Sequence, residues 1–273
     1  MTLFVFGLGY AARAIVAEAA MPVLATTRDG RDGTIRFDDE AGVRRALSAA
    51  THILSSVPPD DAGDPVLMRY GDVLGARWLG YLSSTGVYGD TGGAWVDEHA
   101  PADRGRRPLR NRADAAWLER GARVFRLPGI YGPARSALDR VRDGTAHLTG
   151  IAGQVFSRVH VGDIARGVVA GFAAPAGAYN LADDRPASQD EVIRHAARLL
   201  GLPDPPIVAL ADLTPAARAF HAENRRVANG KAKRVLGWRP HYPDYRFGLR
   251  AVSATISPIA ASTPPATASV DQR

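Results

Sequence analysis

Through the first half of the chain, short runs of consecutive apolar residues alternate with longer helix-like stretches. Residues 3–6, 23–26, 35–37, 52–57, 79–83 and 124–127 are predicted as buried strands, and residues 11–20, 41–49, 66–76 and 113–120 as helices. Alternation of this kind calls for parallel βαβ units with helices on both faces of the sheet. Right-handed crossovers then lead to an open, doubly wound parallel sheet, the Rossmann-type α/β fold. The second half is less regular. A helix is predicted over 161–172, a strand over 178–181, and a helix over 189–200 with Ser188 as N-cap and Gly201 at its end. Pro203, Pro205 and Pro206 mark a connection, and a basic helix is expected near 229–236. The pattern divides the chain into a nucleotide-binding core over 1–173, which later residues extend, and a smaller C-terminal α/β substrate-binding portion over 174–252. Residues 253–273 turn to Ala, Ser, Thr and Pro, which bury little apolar surface, so a disordered tail is expected there.

Composition narrows the function. No apolar run reaches the roughly 18–20 residues of a spanning helix, and the first residues lack the basic stretch of a signal peptide. A cytoplasmic protein with no membrane partner is expected. The absence of cysteine removes disulfides, thiol catalysis and cysteine-bound zinc. The seven histidines are scattered without metal-binding spacing, so no metal is expected. The balance of 34 Lys+Arg against 28 Asp+Glu gives +6, almost all of the positive charge being arginine. No basic run is interleaved with aromatics, so nucleic acid is not an expected partner. The cluster of Arg104, Arg106, Arg107, Arg110 and Arg112 reads as a solvated basic surface, and Asp60, Asp61 and Asp64 as a solvated loop. The tryptophans read as core or lid packing.

The segment Phe6-Gly7-Leu8-Gly9-Tyr10-Ala11-Ala12 is a GxGxxA pattern placed between the first strand and the first helix. Gly7 permits a tight turn, Gly9 lets the backbone approach a pyrophosphate, and Ala12 lets helix pack closely on strand; Leu8 and Tyr10 complete the loop. The amino end of the helix supplies free N–H groups and partial positive charge. The second strand ends at Thr27-Arg28 where an NAD-binding protein usually carries an acidic residue. A guanidinium pairs well with a 2′-phosphate, so NADP is expected in preference to NAD, with Asp29 as the residue that would reverse this. Asp38 is placed to reach the adenine amino group, and Ser56, Val57 and Pro58 to run beside the cofactor.

Five later segments, in order, resemble the extended short-chain dehydrogenases of the epimerase/dehydratase group. Leu82–Asp90 resembles their SSxxVYG segment, Arg126–Pro133 their RxxxxYGP segment with Pro128 beside the cofactor, and Arg158–Ala165, RVHVGDIA here, their arginine-led HVxDIA segment. Tyr179–Asp184 and Lys231–Pro240 are similar to the YNxxDD and KAKRxLGWxP signatures. The short GxGxxA loop is closer to atypical members. The resemblance implies hydride transfer to or from nicotinamide on a small carbonyl, hydroxyl or sugar-type substrate, and a homodimer formed through two helices. It also implies a catalytic tyrosine–lysine pair, YxxxK, with a serine or threonine orienting the substrate oxygen.

Ser84 takes the serine position, with Thr85 beside it. With Asp114 as the acidic residue that follows the pair, Arg110 takes the lysine position and Arg106 the tyrosine position, and no YxxxK occurs between Asp90 and Gly121. An arginine of pKa above about 12 is a poor proton shuttle. Either Tyr88, Tyr131 or His160 supplies the proton, or the protein is a non-catalytic NADP(H) sensor or scaffold. Ser84, Thr85, Tyr88 and Arg110 are the candidate catalytic residues. His160 also reads as a structural histidine and Asp163 as a complement to its helix dipole; Arg218, Arg225 and Arg226 read as surface residues or, alternatively, as contacts for an anionic substrate in the cleft.

Overall fold

The computed structural model describes residues 1–255, and the expected tail from 256 onward lies outside the described residues. Its strands are β1 (Leu3–Phe6), β2 (Val23–Thr27), β3 (Ile35–Arg36), β4 (His52–Ser55), β5 (Trp78–Ser84), β6 (Trp95–Val96), β7 (Arg123–Leu127), β8 (Gly129–Tyr131), β9 (Arg158–His160), β10 (Gly177–Asn180) and β11 (Arg226–Val227). The helices are α1 (Tyr10–Glu18), α2 (Glu40–Ala49), α3 (Pro65–Tyr70), α4 (Pro108–Glu119), α5 (Ala137–Arg142), α6 (Val161–Ala170), α7 (Gln189–Leu200), α8 (Pro215–His221), α9 (Gly230–Val235) and α10 (Tyr245–Thr255). Seven strands form one parallel sheet in the order β10-β7-β5-β4-β1-β2-β3, the Rossmann-like α/β arrangement that the alternation predicts.

Strand β1 explains the layering. Its side chains point alternately to opposite faces. Leu3 and Val5 join Ile15 of α1 and Ile164 of α6, while Phe4 and Phe6 join Val43 and Leu47 of α2, Tyr70 of α3 and Trp117 of α4. A third apolar cluster lies outside the sheet, where α5, α7 and α10 pack Leu138, Val192, Ile193 and Leu249 together. Helix α7 has the expected ends: Ser188 and Glu191 form a capping box, and Gly201 closes it at φ 66°.

The structure corrects several local expectations. Helix α3 stops at Tyr70 rather than running to 76, and α4 begins at Pro108, where proline suits a first helical turn. Asp64 is buried rather than solvated: it caps α3 through Val66 N and Leu67 N and accepts from Trp117 Nε1 at 2.8 Å. Helix α10 extends through Thr255, so the first three residues assigned to the tail are helical. Two further parallel pairs lie outside the main sheet, β8 with β9 and β6 with β11. The second is reinforced by side chains and loops: Asn224 O accepts from Thr91 N and Gly93 N, and Arg225 Nη1 donates to Gly89 O at 2.7 Å. No helix among the described residues is long and apolar enough to cross a membrane.

Candidate functional site

Because the sheet is parallel, the carboxyl ends of β1, β2, β4, β5 and β7 lie along one edge. The chain runs from β1 outward through β2 to β3 and then returns to β4 on the other side of β1. That reversal opens a crevice between β1 and β4, the usual ligand position in such sheets. Gly7 to Tyr10 lie at its mouth. Gly7 has φ +80°, and a Cβ there would lie 3.0 Å from Val57 Cγ2, so the turn is closed tightly by the Ser56–Val57 segment. Ser56 Oγ donates to Gly7 O, and Gly7 N donates to Thr26 Oγ1 at 3.2 Å. Gly9 is different. It is the N-cap of α1, supplies no side-chain cap, and a Cβ built on it meets no atom within 4 Å. The first turn of α1 contains no acidic residue. Its leading N–H groups therefore face open space with a partial positive charge, a cradle that suits a pyrophosphate. Ala12 is buried beneath the turn.

Where the adenosine ribose of a dinucleotide would lie, Thr27 is buried and its hydroxyl is spent locally: it accepts from Gly30 N at 3.0 Å and meets Asp29 and Thr34. Asp29 is held by Thr27 and lies 3.7 Å from Arg31; partial desolvation is the largest single influence and pushes its carboxyl up, but hydrogen bonds from backbone amides and Thr27, with the Arg31 charge, together outweigh it and keep the carboxyl below the usual range. Arg28 is exposed and has no ion-pair partner among the described residues. Asp38 is bonded through both oxygens to Arg36, at 3.0 and 2.9 Å, so its carboxylate is already engaged on its own strand end.

Beyond β5 and β7 a cleft of about 560 Å³ opens between the sheet edge and the third apolar cluster. Ser84, Thr85, Pro128 and Arg110 lie on its wall. Ser84 Oγ accepts from Gly86 N at 3.1 Å to start the 3₁₀ turn Thr85–Tyr88, which leaves its proton available for donation into the cleft. Thr85 is buried behind it. Arg110 donates to Tyr81 Oη at 3.0 Å, and burial nonetheless holds that phenol well above its ordinary pKa.

Tyr88 is not brought to the cleft, which corrects its place among the catalytic candidates. It is 1% exposed, donates to Asn180 Oδ1 at 2.8 Å and accepts from Arg126 Nη1 at 3.0 Å. Arg126 in turn makes a bidentate pair with Asp114, which also accepts from Ser83 Oγ at 2.6 Å. Tyr131 does line the cleft, with a buried hydroxyl that lacks a partner. Burial, reinforced by nearby Asp183, keeps it protonated far above neutral pH, so it is a donor and not a base. His160 caps α6, its Nδ1 accepting from Gly162 N, and burial lowers its pKa to about 4. Asp163 does more than complement a helix dipole, because it accepts from His241 N, Tyr242 N and Arg166 and so anchors the segment before α10.

The sequence offers Arg110 and Arg225 as possible contacts for a substrate anion, but not the extent of the cleft's positive charge. Arg106, Arg107 and Arg110, assigned to a solvated surface, line the cleft; Arg135, Arg140, Arg158 and Arg225 join them, against two acidic residues, Asp139 and Glu223. Glu223 is flanked by Arg106 at 2.9 Å and Arg225 at 2.7 Å. Arg218 and Arg226 instead donate to backbone carbonyls. Arg106 and Arg107 precede α4 and Arg110 lies in its first turn, so no helical spacing marks them together in the sequence. Among the described residues no group of three or more His, Asp or Glu is arranged to hold a metal.

No known family model matches the chain. A conserved protein of unknown function from Silicibacter pomeroyi is 42% identical, with 93% of this chain and 98% of that one covered at a TM-score of 0.85. UDP-glucose 4-epimerase of Thermus thermophilus, solved with NAD, is 20% identical over 94% of this chain and 100% of its own, at a TM-score of 0.71. Human epimerase family protein SDR39U1, solved with NADPH, is 15% identical over the same shares at a TM-score of 0.73. A Streptomyces 3-diazoavenalumate denitrifying reductase is 33% identical over 141 residues, which is 46% of this chain; the match spans 45% of that relative's length.

Proposed function

Because the chain has the fold of the NAD-dependent epimerase/dehydratase group of short-chain dehydrogenases, we propose that it is an NADP-dependent oxidoreductase or epimerase-like enzyme acting on a small molecule. The observation that carries this reading is the uncapped amino end of α1 over the open space at Gly9, on the same sheet edge as Ser84 and the cleft. When bound, the nicotinamide cofactor supplies the hydride acceptor or donor. Gly7, Gly9 and the first turn of α1 hold the pyrophosphate, and Arg28 holds the 2′-phosphate. Ser84 orients the substrate oxygen by donating its hydroxyl proton. Arg110 stabilises negative charge that develops there without passing on a proton.

The missing tyrosine–lysine pair limits which reductions fit. Carbonyl reduction needs a proton as well as a hydride. Hydride delivery to a carbon that expels a leaving group with the bonding electron pair, as an aryl diazonium ion forms a C–H bond and releases dinitrogen, balances with no proton from the protein. The Streptomyces relative, named as a denitrifying reductase, supports chemistry of that kind. The same missing pair supports a second reading, a cofactor-holding sensor without turnover.

Two measurements test these readings. Arg28→Ala is expected to weaken NADPH by about ten- to a hundredfold, the worth of a charge-assisted contact, and NADH little. Equal losses in a fluorescence titration would refute the 2′-phosphate assignment. Ser84→Ala is expected to lower kcat/KM about a hundredfold while NADPH affinity stays unchanged. Tight NADPH binding with no hydride transfer to any carbonyl, sugar or diazonium substrate would favour the sensor.

A further inference from the structure

On the reading of the cleft as the substrate site, the wall formed by β9, α5 and α7 carries two guanidinium groups, Arg140 and Arg158, with no carboxylate within ion-pair distance among the described residues. Arg158 is buried to within 8% of full enclosure on this wall. Its Nη1 donates to Phe156 O at 2.9 Å and Ala187 O at 2.7 Å, and its Nη2 to Ser188 O at 3.4 Å and Gln189 Oε1 at 3.1 Å. All four acceptors are neutral. Among the described residues no carboxylate lies within ion-pair distance of Arg158, and the nearby Asp183 keeps an oxygen without any hydrogen-bond partner. A buried charge without a counter-ion is costly, and burial brings the Arg158 pKa down to about 10.

Arg140 adds to the imbalance. It projects from α5 into the same cleft, close enough to Arg158 for the two cations to repel. Water reaches it through the open side, yet the surrounding protein is dense enough that burial also lowers its pKa. The carboxylate of its neighbour Asp139 is already taken, by the Ser136 capping box and by Arg142 at 3.0 Å. Next to these guanidinium groups the wall is aromatic. Phe156 and Phe220 stack with ring centroids 4.5 Å apart at 19°, and Phe220 remains 43% exposed.

Two converging arginines without an anion, beside a half-open aromatic stack, describe a binding site for an amphiphilic acid. We propose that the cleft binds its substrate through a single anionic head group, a carboxylate or a phosphate monoester, held between Arg140 and Arg158, with an apolar or aryl body lying against Phe156 and Phe220. Arg140, none of whose side-chain donors is bonded among the described residues, can pair with either head group through directed hydrogen bonds, while Arg158, whose Nη donors are taken by its four neutral acceptors, contributes Nε and its charge. The head group would supply the directly paired counter-ion that Arg158 lacks, since Asp183 acts on it only from beyond ion-pair distance.

The test is calorimetry on the full chain with 3-phenylpropionate, phenyl phosphate, inorganic phosphate and the neutral 3-phenylpropionamide. At least one aryl acid is expected to bind about tenfold or more tightly than the amide. Arg140→Gln, on the open side of the cleft, is expected to reduce that preference to less than about threefold with the melting temperature unchanged. Phe220→Ala is expected to weaken acid and amide alike and to leave their ratio intact. Equal binding of acid and amide, an undiminished preference in Arg140→Gln, or inorganic phosphate binding as tightly as phenyl phosphate would each overturn the proposal. Binding of NADPH, followed separately by fluorescence, tells this apart from the proposed function. Acid binding without NADPH binding sinks the enzyme reading and keeps the anion site; NADPH binding without acid preference does the opposite.

Discussion

Asp114→Ala is expected to destabilise the protein by about 3–5 kcal/mol, the usual consequence of stripping one partner from a buried ion pair. Asp114 and Arg126 are 1% and 3% exposed, and two hydrogen bonds of 2.7 and 3.1 Å join them. Without the carboxylate the Arg126 guanidinium keeps only Tyr88 Oη as a hydrogen-bond partner, and Ser83 Oγ loses its acceptor. The pair also ties a helix to two strands of the sheet, because Asp114 sits on α4, Arg126 on β7 and Ser83 on β5. Replacing both partners with apolar residues, as in Asp114→Leu with Arg126→Met, should recover much of the loss, since the desolvation penalty then disappears with the charge. Urea unfolding of the two variants measures both effects. A loss below about 1 kcal/mol for Asp114→Ala would mean that water or a rearranged side chain replaces the carboxylate.

Gly9→Asp is expected to separate binding from stability. As N-cap of α1, Gly9 sits at φ −85° and ψ −170°, ordinary for aspartate, and its Cβ would meet no atom within 4 Å. An aspartate oxygen there can accept from the free N–H groups of the first turn, so stability should hold or rise by a few tenths of a kcal/mol. The same oxygen takes the place of the pyrophosphate and repels it. At a separation of about 4 Å near a surface that repulsion is about 4 kcal/mol, and NADPH affinity should fall by about a hundredfold or more. Gly7→Ala is the opposite case. At φ +80°, with Val57 and Ser56 against the new methyl group, it should cost about 1–2 kcal/mol in stability. Unchanged NADPH binding in Gly9→Asp would show that the glycine turn does not grip the cofactor.

The parallel sheet was legible because β1, β4, β5 and β7 are built on runs of consecutive apolar residues buried from both sides, and α7 because both its ends carry residue types with a local reason, Ser188 with Glu191 and Gly201. The pairs β6–β11 and β8–β9 were not, since two- or three-residue strands carry no periodicity. Helix α10 begins beyond the last predicted helix, and its apolar stripe makes sense only against α5 and α7. At the site, the glycine turn could be read because glycine types at fixed spacing have a local steric reason. The role of Tyr88 could not. Its partners Arg126 and Asn180 lie 38 and 92 residues away, so the motif that resembles a catalytic segment is here part of a buried brace. The arginines of the cleft failed to stand out for the same reason: in a chain rich in arginine, only the folded arrangement separates those facing the cleft from those facing water.

The pairing of β6 with β11 bears on how this protein can be recombined with relatives. Residues 89–96 follow the Ser84 strand, whereas Asn224 to Val227 belong to the C-terminal portion, and each holds the other through backbone and side-chain bonds. A chimera joined near residue 173 would import the second half of this clasp without the first. A working graft would have to carry the 89–107 loop as part of the same cassette.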